Sequence, residues 1–400
     1  MNNTYHEYHE SFFSERPRIS EIEDMADFCK RYKRIYIYGA SENCEYLGKF
    51  LSISEIEIAG YVVTISEKRN LNIYNAPILF IDEILNDGNA GILLGLSDKY
   101  YELVISILKD KELAYFRLSE HNKCGIARGL KPQIVSQLII EISLVDHCNL
   151  KCRNCDHYSN VAQKQVLDIN EFTRDIERLS EICAGSLAAI KLLGGEPLLN
   201  PDITVFIKVT RKNFPRSQIH LITNGLLLLG MSDEFWTALA ENQVVLQVTR
   251  YPTGIDYEAI YEKALRFGLI DERLVNYGLF VDHKKIMLKY PFDLTDSQNK
   301  YAFICCNHRI GCTVLKRGRI YPCPPLAHID HFNEYFNQSL TVSTDDWIDL
   351  YKVKSYQEIA NFLVERVPFC RYCDVKHRFH YTNRFAWSKT SGKLEEYLWD

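Results

Sequence analysis

Three cysteines fall within the segment DHCNLKCRNCDHYSN (146–160): Cys148, Cys152 and Cys155, spaced C-x3-C-x2-C. Thiolates are soft metal ligands. Structural zinc takes four ligands, commonly as two close pairs, and a cubane iron–sulfur cluster is normally held by four thiolates. Three close thiolates can seat a cubane and leave one iron open to an outside ligand. The alternative is a zinc ion that borrows a distant fourth ligand. A second group follows much later: Cys305, Cys306, Cys312, Cys323, Cys370 and Cys373, the last two as the pair FCRYC. Four cysteines in two groups suit either an auxiliary cluster or a zinc ribbon. Cys29, Cys44, Cys124 and Cys183 are scattered, and Cys183 reads as a buried apolar residue on a helix. Thirteen cysteines in a chain whose first residues, MNNTYHEYHE, carry no apolar signal-peptide core point to metal or redox chemistry rather than a disulfide framework.

The elements that must position these thiols alternate along the chain. The strand LIIEISLV (138–145) runs straight into the cysteine loop, and the strand LAAIKLL (187–193) runs into Gly194-Gly195-Glu196-Pro197. Two glycines let a backbone approach a neighbour closely, though a plain strand-to-helix turn also uses them. Helical periodicity marks DINEFTRDIERLSEICA, with Asp168 or Asn170 at its cap and Ile176, Leu179 and Ile182 inward. The helix ITVFIKVTRKNF follows, then the strand QIHLITNG, the Ser232-capped helix SDEFWTALAEN, the strand VVLQVTRYP and the helix DYEAIYEKALRFG. LVNYGLFV and KIMLKY complete the series. Five or six β/α units predict an open, partial barrel with its site at the C-terminal ends of the strands. There Asn224 closes the third strand, and Thr249 and Arg250 end the fourth.

The C-x3-C-x2-C loop and the GGEP turn, on consecutive strand ends, resemble the radical SAM superfamily. The resemblance covers about 138–375. It implies a [4Fe–4S] cluster on Cys148, Cys152 and Cys155 whose open iron chelates S-adenosylmethionine. One electron then cleaves the sulfonium, and the 5′-deoxyadenosyl radical abstracts a substrate hydrogen. It implies cofactor contacts from Gly194, Gly195, Glu196, Pro197, Asn224, Thr249 and Arg250, with Thr249 toward the ribose and Arg250 toward the carboxylate. The family carries an aromatic residue just before the third cysteine, against the adenine. This chain has Asn154 there, with His157 and Tyr158 as the nearby substitutes.

The hairpin TVLKRGRIYPC (313–323), turning at Arg317-Gly318, and the later cysteine pair resemble the twitch and SPASM extensions of such enzymes. Those extensions hold auxiliary clusters. Cys306, Cys323, Cys370 and Cys373 match that arrangement, with Cys312 as a competing fifth, and the twitch form with one additional [4Fe–4S] cluster fits better. The thiol left over is structural or returns a hydrogen atom to a substrate radical.

Residues 33–118 form a separate α/β pattern, opening with the strand-to-glycine turn RIYIYGASENC. It fails the dinucleotide fingerprint G-x-G-x-x-G, since Ser41 and Cys44 stand where glycines belong. It resembles the Rossmann-like modules of glycan-modifying enzymes. The expected organisation is a lead-in segment (1–30), a Rossmann-like α/β domain (31–130), a partial (β/α)6 TIM-like barrel (138–300) and a cysteine-rich, hairpin-containing extension (301–400).

The net charge is -5, which gives no global attraction to nucleic acid or anionic membrane. No apolar run spans a bilayer, since LITNGLLLLGM is broken by Asn224 and Gly225. A cytoplasmic enzyme is expected, served by an electron donor such as flavodoxin or ferredoxin. Lys284, Lys289, Lys316, Arg317 and Arg319 make one basic stretch, either a solvated face or a contact for an anionic group. The preferred substrate is a sugar, sugar nucleotide or related small metabolite, on the strength of the N-terminal module. A peptide substrate is the alternative within the same chemistry, and a non-catalytic zinc-binding scaffold is the alternative outside it.

Overall fold

A computed structural model describes residues 16–64, 76–270, 280–284, 286–288, 291–295, 301–306, 311–375 and 384–398. The described residues divide into two compact units, one within 16–131 together with 301–306, the other within 132–295 together with 311–398.

The first unit begins with helix α1 (Ile19–Lys30), whose Ile22, Met25 and Phe28 are buried. Strands β1 (Arg34–Tyr38), β2 (Gly60–Val63), β3 (Ile78–Phe80), β4 (Ala90–Leu94) and β5 (Ala114–Arg117) form one sheet in the order β3-β2-β1-β4-β5. Every pairing in it is parallel. Helix α2 (Glu42–Ile53) lies between β1 and β2, α3 (Tyr101–Asp110) lies between β4 and β5, and α4 (Glu120–Leu130) follows β5. This is the doubly wound order, whose ligand crevice lies where β1 and β4 diverge. Here Cys44 fills the crevice: a Cβ on Gly39 would stand 2.8 Å from its sulfur, and one on Gly95 2.9 Å. The buried Lys123 is also spent locally, on the Leu96 carbonyl, Asp98 at 3.0 Å and the Tyr101 hydroxyl at 2.7 Å.

The second unit is built on an eight-stranded sheet. Its successive β/α strands are β6 (Ile139–Ser143), β7 (Ala189–Leu193), β8 (Gln218–Thr223), β9 (Val244–Arg250) and β10 (Phe280–Lys284), all parallel to their neighbours. Helices α5 (Ile169–Ile182), α6 (Ile203–Asn213), α7 (Asp233–Glu241) and α8 (Tyr257–Arg266) alternate with them. Asp168 caps α5, accepting from the backbone N–H groups of Asn170 at 3.0 Å and Glu171 at 2.9 Å. Ser232 caps α7 through the Phe235 N–H.

Side chains alternate across each strand. Ile140, Ile142, Ile190, Leu192, Ile219 and Leu221 pack on the helices, with Phe172 and Ile176 of α5 and Phe206 of α6. The opposite face carries Glu141, Lys191 and His220, in register across three strands and all buried. The result is the partial barrel core of α/β class that the strand–helix alternation requires.

The sixth parallel strand is not the one the sequence suggests. Residues Ile286–Leu288 (β11) leave the sheet and pair antiparallel with β15 (Arg384–Ala386). In their place β12 (Thr313–Lys316) docks parallel beside β6. It is joined to β13 (Arg319–Tyr321) by Arg317 (φ 52°) and Gly318 (φ 68°). Two positive φ values make the type I′ turn that matches strand twist. β14 (Ile348–Asp349) extends the sheet. Helices α9 (Ile329–Phe336) and α10 (Tyr356–Val364) follow within the C-terminal region. Most of LVNYGLFV lies outside the described residues. No helix among the described residues is long and apolar enough to cross a membrane.

Candidate functional site

Beyond β6 and β7 the backbones stay paired: Leu144 N–H donates to the Leu193 carbonyl at 2.8 Å, Gly195 N–H to Val145 at 2.8 Å and Glu196 N–H to His147 at 3.2 Å. This brings the Gly194-Gly195 turn directly against the start of the cysteine loop. A Cβ on Gly194 would lie 2.3 Å from the Val145 oxygen, and one on Gly195 2.1 Å from the His147 oxygen and 2.8 Å from the Cys148 nitrogen. Only glycine fits at either position. The close approach that two glycines permit is therefore, first, an approach to the chain's own cysteine loop.

Glu196 is fully buried. Its carboxylate accepts from Leu198 N–H at 3.1 Å, the Thr223 hydroxyl at 2.7 Å and Asn224 N–H at 2.9 Å. Burial outweighs these bonds and pushes its pKa up to about 7. Glu196 thus ties the end of β7 to the end of β8. The tie aims Asn224, whose amide donates to Asn149 Oδ1 at 2.7 Å and to Cys148 Sγ at 3.7 Å.

The three thiols converge on a cavity of about 360 Å³, whose wall includes Gly194, Gly195, Asn224 and Thr249. Burial pushes the Cys148 and Cys155 thiols up to about 12, helped for Cys148 by Glu196 and for Cys155 by Asp156. Thiols this hard to ionise become thiolates when cationic metal replaces their protons. Tetrahedral zinc with Zn–S near 2.3 Å holds its sulfurs about 3.8 Å apart. Among the described residues, the one set of three potential ligand side chains within 4.8 Å of one another is Asp146, His328 and His331, not the cysteine trio. The trio is therefore spread more widely than a single zinc needs, which suits a multi-iron cluster that gives each thiolate its own iron. His328 in the other set is already engaged, by Ser143 Oγ at 3.2 Å and Lys316 Nζ at 3.4 Å.

The remaining sequence candidates divide. Pro197 and Glu196 are buried and do not line the cavity. Arg250 is exposed, with its guanidinium 4.9 Å from the centre of the Tyr257 ring, and it too is absent from the wall. Strand alternation explains this, since neighbours Thr249 and Arg250 point to opposite sides. Of the two aromatic substitutes, His157 lines the cavity. Tyr158 does not: it is buried against Phe292, Phe332 and Tyr397. Asn154 lines the cavity at φ 54°, and neither polar atom of its buried amide has a hydrogen-bond partner in the structure. Two aromatic residues that sequence spacing did not suggest complete the wall of the loop: Tyr251, one residue past β9, and Trp387, whose indole N–H donates to Cys152 Sγ at 3.1 Å.

The C-terminal cysteines also separate. Cys323, Cys370 and Cys373 pack against one aromatic cluster that includes Tyr158, Phe292 and Phe369. Cys370 sits on a short helical turn (Pro368–Tyr372) and Cys373 ends it, its N–H donating to the Cys370 carbonyl at 3.2 Å. Cys323 and Cys373 both help to raise the Tyr158 phenol, after burial. Cys312 lies elsewhere, beside Glu141 and Lys191 on the polar barrel row. Cys306 belongs to the first unit, just after the helical turn Ala302–Cys305, and its carbonyl accepts from Arg16. Lys316, from the basic stretch, is spent on the Ala327 carbonyl at 3.0 Å and on Asp330 at 3.2 Å.

Residues 142–277 match the family described as the radical SAM superfamily. Curated relatives include the GTP 3′,8-cyclase of Desulforamulus reducens, 32% identical over 98 residues (24% of this chain, 29% of the relative). That of Syntrophomonas wolfei is 34% identical over 103 residues (25% of this chain, 30% of the relative). The chain therefore spans less than a third of these relatives' length. Among solved structures, BtrN in complex with AdoMet and 2-DOIA is 18% identical and covers 64% of this chain and 100% of its own, at a TM-score of 0.38. Streptococcus suis SuiB is 13% identical and covers 68% and 78%, at 0.31.

Proposed function

We propose, from the match of residues 142–277 to the radical SAM superfamily and from the site's geometry, that the chain reductively cleaves S-adenosylmethionine and abstracts a hydrogen atom from a small polar metabolite. The observation that carries this is the convergence of Cys148, Cys152 and Cys155 on a cavity floored by the Gly194-Gly195 backbone. Bound there, a [4Fe–4S] cluster and S-adenosylmethionine supply one-electron cleavage of the sulfonium and a carbon radical able to take hydrogen.

The chain's own work is to bind, orient and exclude water. Cys148, Cys152 and Cys155 hold the cluster. The GGEP turn fixes the Cys148 end of the loop, and Glu196 fixes the turn. Asn224 and Thr249 offer an amide and a hydroxyl to the ribose and amino-acid portions of the cosubstrate. Asn154, with both amide atoms unpartnered, supplies polar contacts on the side where the family carries an aromatic ring. Cys323, Cys370 and Cys373, which pack against one aromatic cluster, are three ligands of an auxiliary cluster. Cys312, set apart beside Glu141 and Lys191, is not one of them.

A sugar, sugar nucleotide or similar metabolite suits the rest of the wall. Asp156, His157 and Ser159 present carboxylate, imidazole and hydroxyl groups that match a hydroxyl-rich ligand. Electrons come from a flavodoxin- or ferredoxin-type donor.

The test is deuterium transfer. Cluster-loaded, reduced protein with S-adenosylmethionine is incubated with deuterated pools of sugar nucleotides, sugars and peptides. Label in 5′-deoxyadenosine from the sugar pools supports the reading; label from the peptides alone replaces the substrate class. Metal analysis separates the whole reading from a zinc scaffold: two cubanes give about eight iron with sulfide per chain, and a scaffold holds zinc and stays colourless.

A further inference from the structure

The last described segment returns to the cysteine loop and pairs with it. Thr390 N–H donates to the Lys151 carbonyl at 2.8 Å, and Arg153 N–H donates to the Ser388 carbonyl at 2.9 Å. Cys152 and Lys389 face each other in an antiparallel bridge between those bonds. The strap is anchored beyond this contact. Glu396 accepts from Ser391 N–H at 2.7 Å and from the Ser391 hydroxyl at 2.8 Å, and also from the Thr390 hydroxyl. The Tyr397 hydroxyl accepts from the Asn160 amide at 2.9 Å, at the far end of the same loop. The strap thus holds the loop at two places, its middle and its far end.

Trp387 is the residue this strap delivers. Its ring meets Tyr251 edge to face, with centroids 5.8 Å apart at 71°. It packs with Leu150, Cys148 and Cys152 in a small apolar group of its own. Its indole N–H has one sulfur within reach, Cys152 Sγ at 3.1 Å. An indole N–H is a donor only, so the bond has one direction.

We propose that Trp387 is a positioning residue that raises the reduction potential of the cluster held by Cys148, Cys152 and Cys155. Reduction adds negative charge that the ligating sulfurs share. A donor aimed at one of them stabilises the reduced state more than the oxidised one and so raises the potential; the ring's shielding from solvent is common to Trp and Phe and cancels when the two are compared. The proposal rests on the assignment of a cluster to this loop.

The experiment compares anaerobically reconstituted wild type with Trp387→Phe, which keeps an aromatic ring and deletes the N–H. Iron and sulfide are counted first. The reduced-cluster signal is then followed by EPR during a potentiometric titration, and the signal absent from Cys152→Ala identifies the centre. The expected result is unchanged iron content and a reduced-to-oxidised ratio at fixed potential that falls threefold to tenfold, where tenfold is 59 mV for one electron. An unchanged midpoint overturns the proposal. A second measurement needs no variant to fold: wild type grown with 15N-indole tryptophan shows 15N hyperfine coupling to the reduced centre if the bond exists, and absence of coupling overturns it. Wild type that takes up no iron at the loop refutes the parent reading instead, which keeps the two failures distinct.

Discussion

Substituting Gly195 by alanine tests whether the GGEP turn exists to place the first cysteine. The new Cβ would stand 2.1 Å from the His147 oxygen, 2.3 Å from its carbonyl carbon and 2.8 Å from the Cys148 nitrogen. Ordinary contact begins near 3.5 Å, so the two backbones must part by roughly 1 Å. Neither surface is the end of a flexible side chain. The Glu196 N–H to His147 carbonyl bond, now 3.2 Å, is lost in the process, and Cys148 moves with its nitrogen. Metal–ligand distances tolerate about 0.2 Å, so the displacement is several times what a cluster accepts. Overpacking of this kind costs about 1–3 kcal/mol in stability, which leaves most of a domain's folding free energy in place. The variant should therefore fold, with a modestly lower melting temperature. After anaerobic reconstitution it should carry about four fewer iron atoms per chain than wild type, one cubane's worth. Gly230→Ala is the control, since a Cβ there meets nothing within 4 Å. A Gly195→Ala protein that loads iron and sulfide to the wild-type level would show that the turn does not set the position of Cys148.

Three further outcomes follow from the polar row and the cysteine groups. Glu141 and Lys191 form a buried ion pair at 2.9 Å; Lys191→Met strands a buried carboxylate and should cost about 3–5 kcal/mol in chemical denaturation, while Glu141→Leu/Lys191→Met recovers most of the loss. An equal loss in the double variant contradicts the pairing. Burial, with Lys191 nearby, pushes His220 down from 6.5 to about 4. The fold thus prefers the neutral ring, and its contribution is complete above pH 6.5 and drains away as pH falls toward 4. The loss amounts to about 3 kcal/mol, and His220→Gln should flatten that part of the stability–pH curve. Cys373→Ala should remove about four iron atoms and Cys312→Ala none; the reverse pattern reassigns the auxiliary ligands.

Much of this was legible because local chemistry and local structure coincide. The cysteine spacing, the GGEP turn and the Arg317-Gly318 hairpin each need only neighbours in sequence to be read. Strand alternation placed Ile140, Ile142, Ile190 and Leu192 on the helix side, leaving Glu141 and Lys191 opposite. The same alternation shows that Thr249 and Arg250 cannot both face the cavity, a constraint available from the sequence. Other features depend on contacts no window contains. β12 docks on β6, while β11 leaves the barrel sheet for β15. Trp387 reaches Cys152 across 235 positions. Cys312 immediately precedes β12, the first strand of the hairpin that ends at Cys323, yet its side chain joins the barrel row rather than the cluster of Cys323 and Cys373. Spacing along the chain groups these cysteines together; the direction of β12 parts them.

The most direct measurement of the central claim is release of 5′-deoxyadenosine. Reduced, cluster-loaded protein incubated with S-adenosylmethionine should form it, and Cys152→Ala prepared identically should form none. Equal release from the two proteins, or none from wild type carrying its full complement of iron and sulfide, contradicts the assignment of the cysteine loop.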